Sequence, residues 1–413
     1  MRMTFNRSSQ LALVSGVSLL AAALITACGT LTEDFVYVSS AKAAGPNSYG
    51  EIDVYEINSQ SGRMRQIPTS PFPSGGRNPV AEATSPDNLD LYVVNEDDNT
   101  IVQFIIGSDG KLYPQNTVNT QGVFPVAVAT AGSYLYVADT YQPLPTCSTA
   151  APCSGSIAVY PILTAAQAGA LTPPQPPDTL GTAIVNTNIS ASYWPLTLPS
   201  APTHVLTPTA ITTGASGAYV YATAYDTSVT PSVGYIFGFT VNGDGTLSPL
   251  AGSPLQTGSH PSGIASGPGG SNVYVTDYAN GNVHAYAATN GVLAEVGSSP
   301  FPAGNEPAAV VVDASGAYVF VVNSLDSTVT VYSTANGVLT SMGNYTTGTQ
   351  PVAIGIDPSS NEYLYTANFL GNNVSGFQLN STTGALLNSQ YSPSPANANP
   401  TAVAAIPHGT PKK

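Results

Sequence analysis

Residues 261–339 hold two successive copies of one pattern, and that repetition limits what the chain can become. The first copy reads Pro261, then Val273-Tyr274-Val275-Thr276-Asp277, Val283-His284-Ala285-Tyr286 and Gly291-Val292-Leu293. The second reads Pro307, then Val319-Phe320-Val321-Val322-Asn323, Val329-Thr330-Val331-Tyr332 and Gly337-Val338-Leu339. Pro to first aromatic is 13 residues in both, aromatic to aromatic 12, and aromatic to Leu 7. The aromatic-centred element recurs at Tyr37, Tyr92, Tyr136, Tyr221 and Tyr365, making seven copies. The opening Pro stands at Pro79, Pro125, Pro208, Pro261, Pro307, Pro351 and Pro400. The Gly-x-Leu element is also sevenfold, with Met64 once in place of Leu.

Units of about 45 residues, each made of several short β segments, are the signature of propeller blades. The seventh Pro lies at the far end of the chain. Pro400–Ile406 reads as a first strand with nothing after it, and Phe35–Ser40 as a second strand with nothing before it. Pairing the two completes one unit from both termini and removes the exposed sheet edges. The expected fold is all-β: a seven-bladed β-propeller over residues 35–406, closed by its N- and C-terminal strands. Asn242-Gly243-Asp244-Gly245 and Thr289-Asn290-Gly291 supply the positive φ angles of tight hairpins, and no long helical period is evident, so helix content should be small.

Residues 1–28 read as a secretory leader of the bacterial lipoprotein kind: two arginines, the apolar run Leu11–Ala23, and Thr26-Ala27 directly before Cys28. Cleavage before Cys28 and its lipidation are expected, with residues 29–34 as a short tether and 407–413 as a frayed tail. Export to the cell envelope follows, facing the periplasm or the cell surface, and the lipid would be the sole contact with a membrane. Formal net charge is -14 with only nine Lys and Arg, which excludes nucleic acid as a partner. A monomer is expected. The unit opened by Pro125 carries an insertion around residues 140–205 that holds Cys147 and Cys153, six apart, read as a local disulfide.

Antiparallel pairing sets the start of each first strand beside the end of each second strand. Two rings of residues should therefore surround one mouth of the channel. The first is Asn78, Phe124, Thr207, His260, Glu306, Gln350 and Asn399; the second is Ser40, Asn95, Asp139, Ala224, Asp277, Asn323 and Asn368. From these, Asn78, Asn95, Asp139, Asp277, Asn323, Gln350 and Asn368 are candidate ligand-binding residues. His260, Glu306, Asp139 and Asp277 are the candidates for proton transfer. An Asn or Asp after a strand also commonly bonds its own backbone, a competing role for the second ring. No zinc motif and no phosphate-cradling glycine loop occurs. No cofactor is required, although calcium stays open through the oxygen-rich loop Asn95-Glu96-Asp97-Asp98-Asn99.

The repeated Tyr-Val-Thr-Asp and Tyr-Val-Val-Asn elements, each after a Pro and before a Gly-x-Leu, resemble the Tyr-Val-Thr-Asn repeat of seven-bladed propellers. They are similar to the lactonase family that includes propeller-type 6-phosphogluconolactonases. The resemblance covers residues 35–406 and implies a site at the channel mouth with a His, an acid and arginines. Carried over, it marks His260 as a general base, Glu306 as an acid, and Arg77, beside Asn78, as the one arginine placed to approach the mouth. A family substrate carrying phosphate needs a cationic clamp, for which this chain has few residues.

Three readings follow. The leading one is an envelope propeller acting as a binding or interaction module, holding a small molecule or an envelope protein at the mouth. The alternatives are a lactone hydrolase working through His260 and Arg77 or main-chain donors, and a calcium-stabilised structural propeller.

Overall fold

The computed structural model describes residues 33–41, 48–58, 60–357 and 363–407. The leader, Cys28, the tether up to residue 32 and the tail from residue 408 lie outside the described residues. Seven antiparallel sheets form seven blades. Blade 1 joins the termini: Pro400–Ile406 pairs with Glu33–Ser40, which pairs with Glu51–Asn58. The inner strands of blades 2 to 7 are Pro79–Thr84, Val123–Ala131, Leu206–Gly214, Pro261–Ser266, Pro307–Val312 and Pro351–Ile356. Each inner strand neighbours the next, and Pro400–Ile406 closes the circle against Pro79–Thr84.

Seven hydrophobic cores fill the seven spaces between blades. The repeat aromatics sit in them, with Tyr37, Tyr92, Tyr136, Tyr221, Tyr274 and Tyr365 fully buried. The aromatic and the glycine recur at one period because they meet across blades. Tyr37 donates to the Gly110 carbonyl of blade 2, and Tyr221 to the Gly291 carbonyl of blade 5. Gly110 and Gly291 have φ of 76° and 80°, and a Cβ there would fall 2.4–2.5 Å from the ring of Phe35 or Tyr219. Only glycine satisfies both the left-handed backbone and that approach.

In every blade the register slips by one residue just after the opening Pro, a β-bulge. The extra residue ties neighbouring blades together at the mouth. Ser262 donates to the Pro307 carbonyl, and Thr401 to the Pro79 carbonyl at 2.6 Å. The outermost strand is broken in blades 1, 4, 5 and 7, and a Ser-Pro bridges each break. The hydroxyls of Ser70, Ser253, Ser299 and Ser392 accept the third-strand N–H of Val54, Gly238, Ala285 and Gly376, at 2.9–3.1 Å.

The blade 3 insertion contains one short helix, Ala165–Gly169, started by a Thr164/Gln167 capping box. Trp194–Pro195 then supplies a two-residue outer strand. Cys147 and Cys153 form a disulfide with Cα atoms 5.5 Å apart.

Candidate functional site at the channel mouth

The opening Pro pairs with the last residue of the second strand in blades 1, 2, 5, 6 and 7, as with Pro261 and Asp277 or Pro307 and Asn323, and in blades 3 and 4 with Asp139 and Ala224, two residues before that strand ends. Asn78, Phe124, Glu306, Gln350 and Asn399, each just before its Pro, have φ of 53–57°. This left-handed residue turns the loop into the inner strand. The carbonyl at this position, that of His260 included, accepts the N–H of the residue that follows the second strand: Glu96 to Asn78, Tyr278 to His260, Ser324 to Glu306, Phe369 to Gln350 and Ala41 to Asn399, at 2.8–3.0 Å.

One position beyond the expected ring, Glu96, Tyr225, Tyr278 and Phe369 are only partly buried, whereas Ser324 is buried. Asn95, Asp139, Asp277, Asn323 and Asn368 themselves are fully buried. They spend their polar atoms on the loops behind the mouth. Asp139 accepts Gly122 N–H at 3.0 Å, Asn323 accepts Gly304 N–H at 3.0 Å, and Asn95 accepts the Ser74 hydroxyl at 3.0 Å. Asn368 donates to Asn373 and Ser375. Asp277 accepts the N–H groups of Ser259 at 2.9 Å and His260 at 3.0 Å. A side chain slipped by one strand position faces the other way, which is why these residues brace the loops.

His260 and Glu306 belong to one cluster. The His260 ring stacks on Tyr225 with centroids 4.0 Å apart, and the Tyr278 ring lies 5.7 Å from it at a tilt of 46°. Tyr278 hydrogen-bonds the Glu306 carboxylate, which raises its hydroxyl pKa. The four side chains come from blades 4, 5 and 6. Burial lowers the His260 pKa, and the nearby Asp277 only partly opposes this, so the imidazole is neutral at neutral pH. In the neighbouring blade 3, Phe124 and Tyr141 meet edge to face at 6.0 Å. Sequence reasoning missed Tyr225 and Tyr278; their signal was position, directly after the Asp or Ala that ends the repeat.

Arg77 lies in blade 2, three blades around the ring from His260. Its Nε donates to Asp98 Oδ1 at 2.7 Å, its backbone N–H donates to Asp98 Oδ2 at 2.7 Å, and its guanidinium also reaches the Asp97 carbonyl. Beside it opens a cavity of about 590 Å³ lined by Tyr49, Gly75, Arg77, Asp98 and Thr100. Asn78 donates to Glu96 at 2.6 Å. In the oxygen-rich loop, Asp98 is thus held by Arg77, and Asn99 accepts Phe124 N–H at 2.6 Å. Among the described residues the other cations sit away from the mouth: Arg65 on Glu56, Lys111 on Asp109, and Arg63 over the Tyr391 ring.

The family described as lactonase, 7-bladed beta-propeller, matches residues 35–178 and 292–404. The chain belongs to the lactonase family. No curated protein matches it. The fold of this lactonase-family chain is shared by solved structures at low identity. One is a candidate 6-phosphogluconolactonase from Bacteroides fragilis, 20% identical, covering 92% of this chain and 99% of that one, with a TM-score of 0.69. Another is the periplasmic gluconolactonase of Pseudomonas aeruginosa, 19% identical, covering 92% and 100%, with a TM-score of 0.65. Tyr225, His260 and Tyr278 fall between the two matched stretches, whereas Glu306, Gln350, Arg77 and Asn78 fall within them. A lactonase-family mouth of this composition offers a neutral imidazole as a base, hydroxyl and backbone N–H donors, and aromatic faces against which a sugar ring can lie.

Proposed function

We propose that this chain is an exported lactonase that opens an uncharged sugar lactone at the channel mouth. The reading rests on the His260 cluster: a half-buried imidazole, stacked on Tyr225, near Tyr278 and kept neutral, at the mouth of a lactonase-family propeller. Family membership favours hydrolysis over the binding module. The Cys147–Cys153 disulfide supports an oxidising compartment.

His260 takes a proton from water as the water oxygen bonds to the lactone carbonyl carbon. The resulting oxyanion is steadied by hydroxyl or main-chain donors at the mouth. Collapse breaks the ring C–O bond, and the imidazolium returns its proton to the departing oxygen, giving an open hydroxy acid. The mouth disfavours a phosphorylated substrate. Arg77 is already paired with Asp98, while Glu96 and Asp97 beside it and Glu306 of blade 6 add further acidic groups.

The test is hydrolysis of glucono-δ-lactone and of its 6-phosphorylated form by the leader-free protein. Turnover of the uncharged lactone is expected, falling by about 10² or more in His260→Ala. An active parent with an unaffected variant would remove His260 from the mechanism. No turnover of any lactone by folded protein would return the envelope binding module.

A further inference from the structure

We propose that the chain binds a calcium ion through Asp87, Asp90, Asp178 and the amide oxygen of Gln103, and that this ion pins the blade 3 insertion to blade 2. Asp87 and Asp90 flank the turn between the first two strands of blade 2, and Asp178 ends the Pro-rich run of the insertion. One oxygen from each of the three carboxylates lies within 4.8 Å of the other two. Three acidic groups so close repel one another, and a divalent cation turns that repulsion into attraction.

A second observation comes from Gln103, on the third strand of blade 2 and 1% exposed. Its side chain ends against the cluster, with Nε2 donating to Asp90 Oδ1 at 2.8 Å. Its Oε1 has no hydrogen-bond partner although it is buried. A buried amide oxygen is seldom left unused, and this one shares its amide group with the nitrogen that meets Asp90, which puts it within reach as a ligand for a hard cation. All four donors are oxygens, and none is a His or Cys, which selects calcium over zinc.

The position gives the ion a structural task. Asp178 is already tied at its backbone, with its N–H on the Leu163 carbonyl at 2.8 Å and its own carbonyl accepting the Tyr92 hydroxyl at 2.7 Å. Leu180, Ile162 and Tyr92 share one core. The acidic turn follows the far end of the inner strand, so the site lies on the face opposite the mouth and is separate from the proposed catalysis.

Terbium is the probe, because Tyr92 stands against the site and can sensitise its emission. The leader-free protein, excited at its tyrosines, should give terbium emission that excess calcium quenches. Asp178→Asn should lose it, and Tyr92→Phe should dim it severalfold. Calcium should also raise the melting temperature by about 3 °C over protein in chelator, a gain absent in Asp178→Asn. Lactone turnover should be the same in wild type and Asp178→Asn, so failure here is distinct from failure of the lactonase reading. Emission equal in wild type and Asp178→Asn, or melting indifferent to chelator, would overturn the site. Asp90→Asn serves as a second variant against the same outcomes.

Discussion

Asp139 and Asp277 occupy equivalent places on their second strands, each opposite an opening Pro, yet their surroundings drive them in opposite directions. Burial pushes the Asp139 carboxyl up to about 7, only partly countered by the Gly122 N–H, and its Oδ1 has no partner. Burial also raises Asp277, but the Asn280 amide, the N–H groups of Ser259 and His260, and His284 together hold it below the ordinary carboxylate range. The signs for stability follow. Asp139 favours the fold while protonated, and that contribution is lost as pH rises from about 4 through 7; Asp277 stabilises above about 4 and loses its effect only in stronger acid. Asp139→Asn places at this position the residue that blades 2, 6 and 7 already carry. It should raise stability at pH 8 by about 1–3 kcal/mol and flatten the decline in melting temperature between pH 5 and 8. Asp277→Asn, left with one acceptor oxygen for two N–H groups, should cost about 1–3 kcal/mol and impair turnover through the loosened His260 loop. With the His260 pKa lowered, the acid limb of the kcat/KM profile should lie below the ordinary histidine value of 6.5. An acid limb at or above that value would argue against His260 as the base. At this scale the sequence showed which residues recur but not which way they face. The Asn/Asp ring was readable as positions along the chain, while the proposed catalytic cluster one step further, built on Tyr225 and Tyr278, needed the pleat to be seen.

The broken outer strands show a device of the sheet itself. Where Ser-Pro interrupts pairing, a serine hydroxyl takes over the carbonyl's role toward the third strand. Ser253→Ala should leave the Gly238 N–H without its acceptor, costing about 1–2 kcal/mol and speeding hydrogen exchange at that amide. Unchanged protection at Gly238 would show that water replaces the hydroxyl. The strand pattern, the hairpin glycines and the disulfide were readable from spacing, because each depends on local chain geometry. Ser70-Pro71 and its three counterparts were equally visible but carried no readable purpose, since the N–H they serve belongs to a strand some 15 residues earlier. The long insertion was readable only as an interruption. Its docking, with Tyr92 on the Asp178 carbonyl, joins residues 86 apart in sequence.

The ring as a whole depends on two strands that are about 360 residues apart and lie side by side. A chain ending at Asn399 would leave Glu33–Ser40 with an open edge, and blades 2 and 7 without the inner strand between them. Such a truncation should lose its single cooperative melting transition and elute as aggregates in size-exclusion chromatography; a monomer with native melting would show closure to be dispensable. Closure was legible from the misplaced Pro400 alone, because seven complete units could be counted only by joining the ends. The same strands also set a direction. Ser40 and Pro400 stand at the mouth, so Glu33 and Ile406, at the other ends of their strands, both emerge on the reverse side. Whatever grips the molecule by either end, whether an acyl chain, an affinity bead or a fused domain, holds it from behind and leaves the entrance facing outward toward whatever diffuses past.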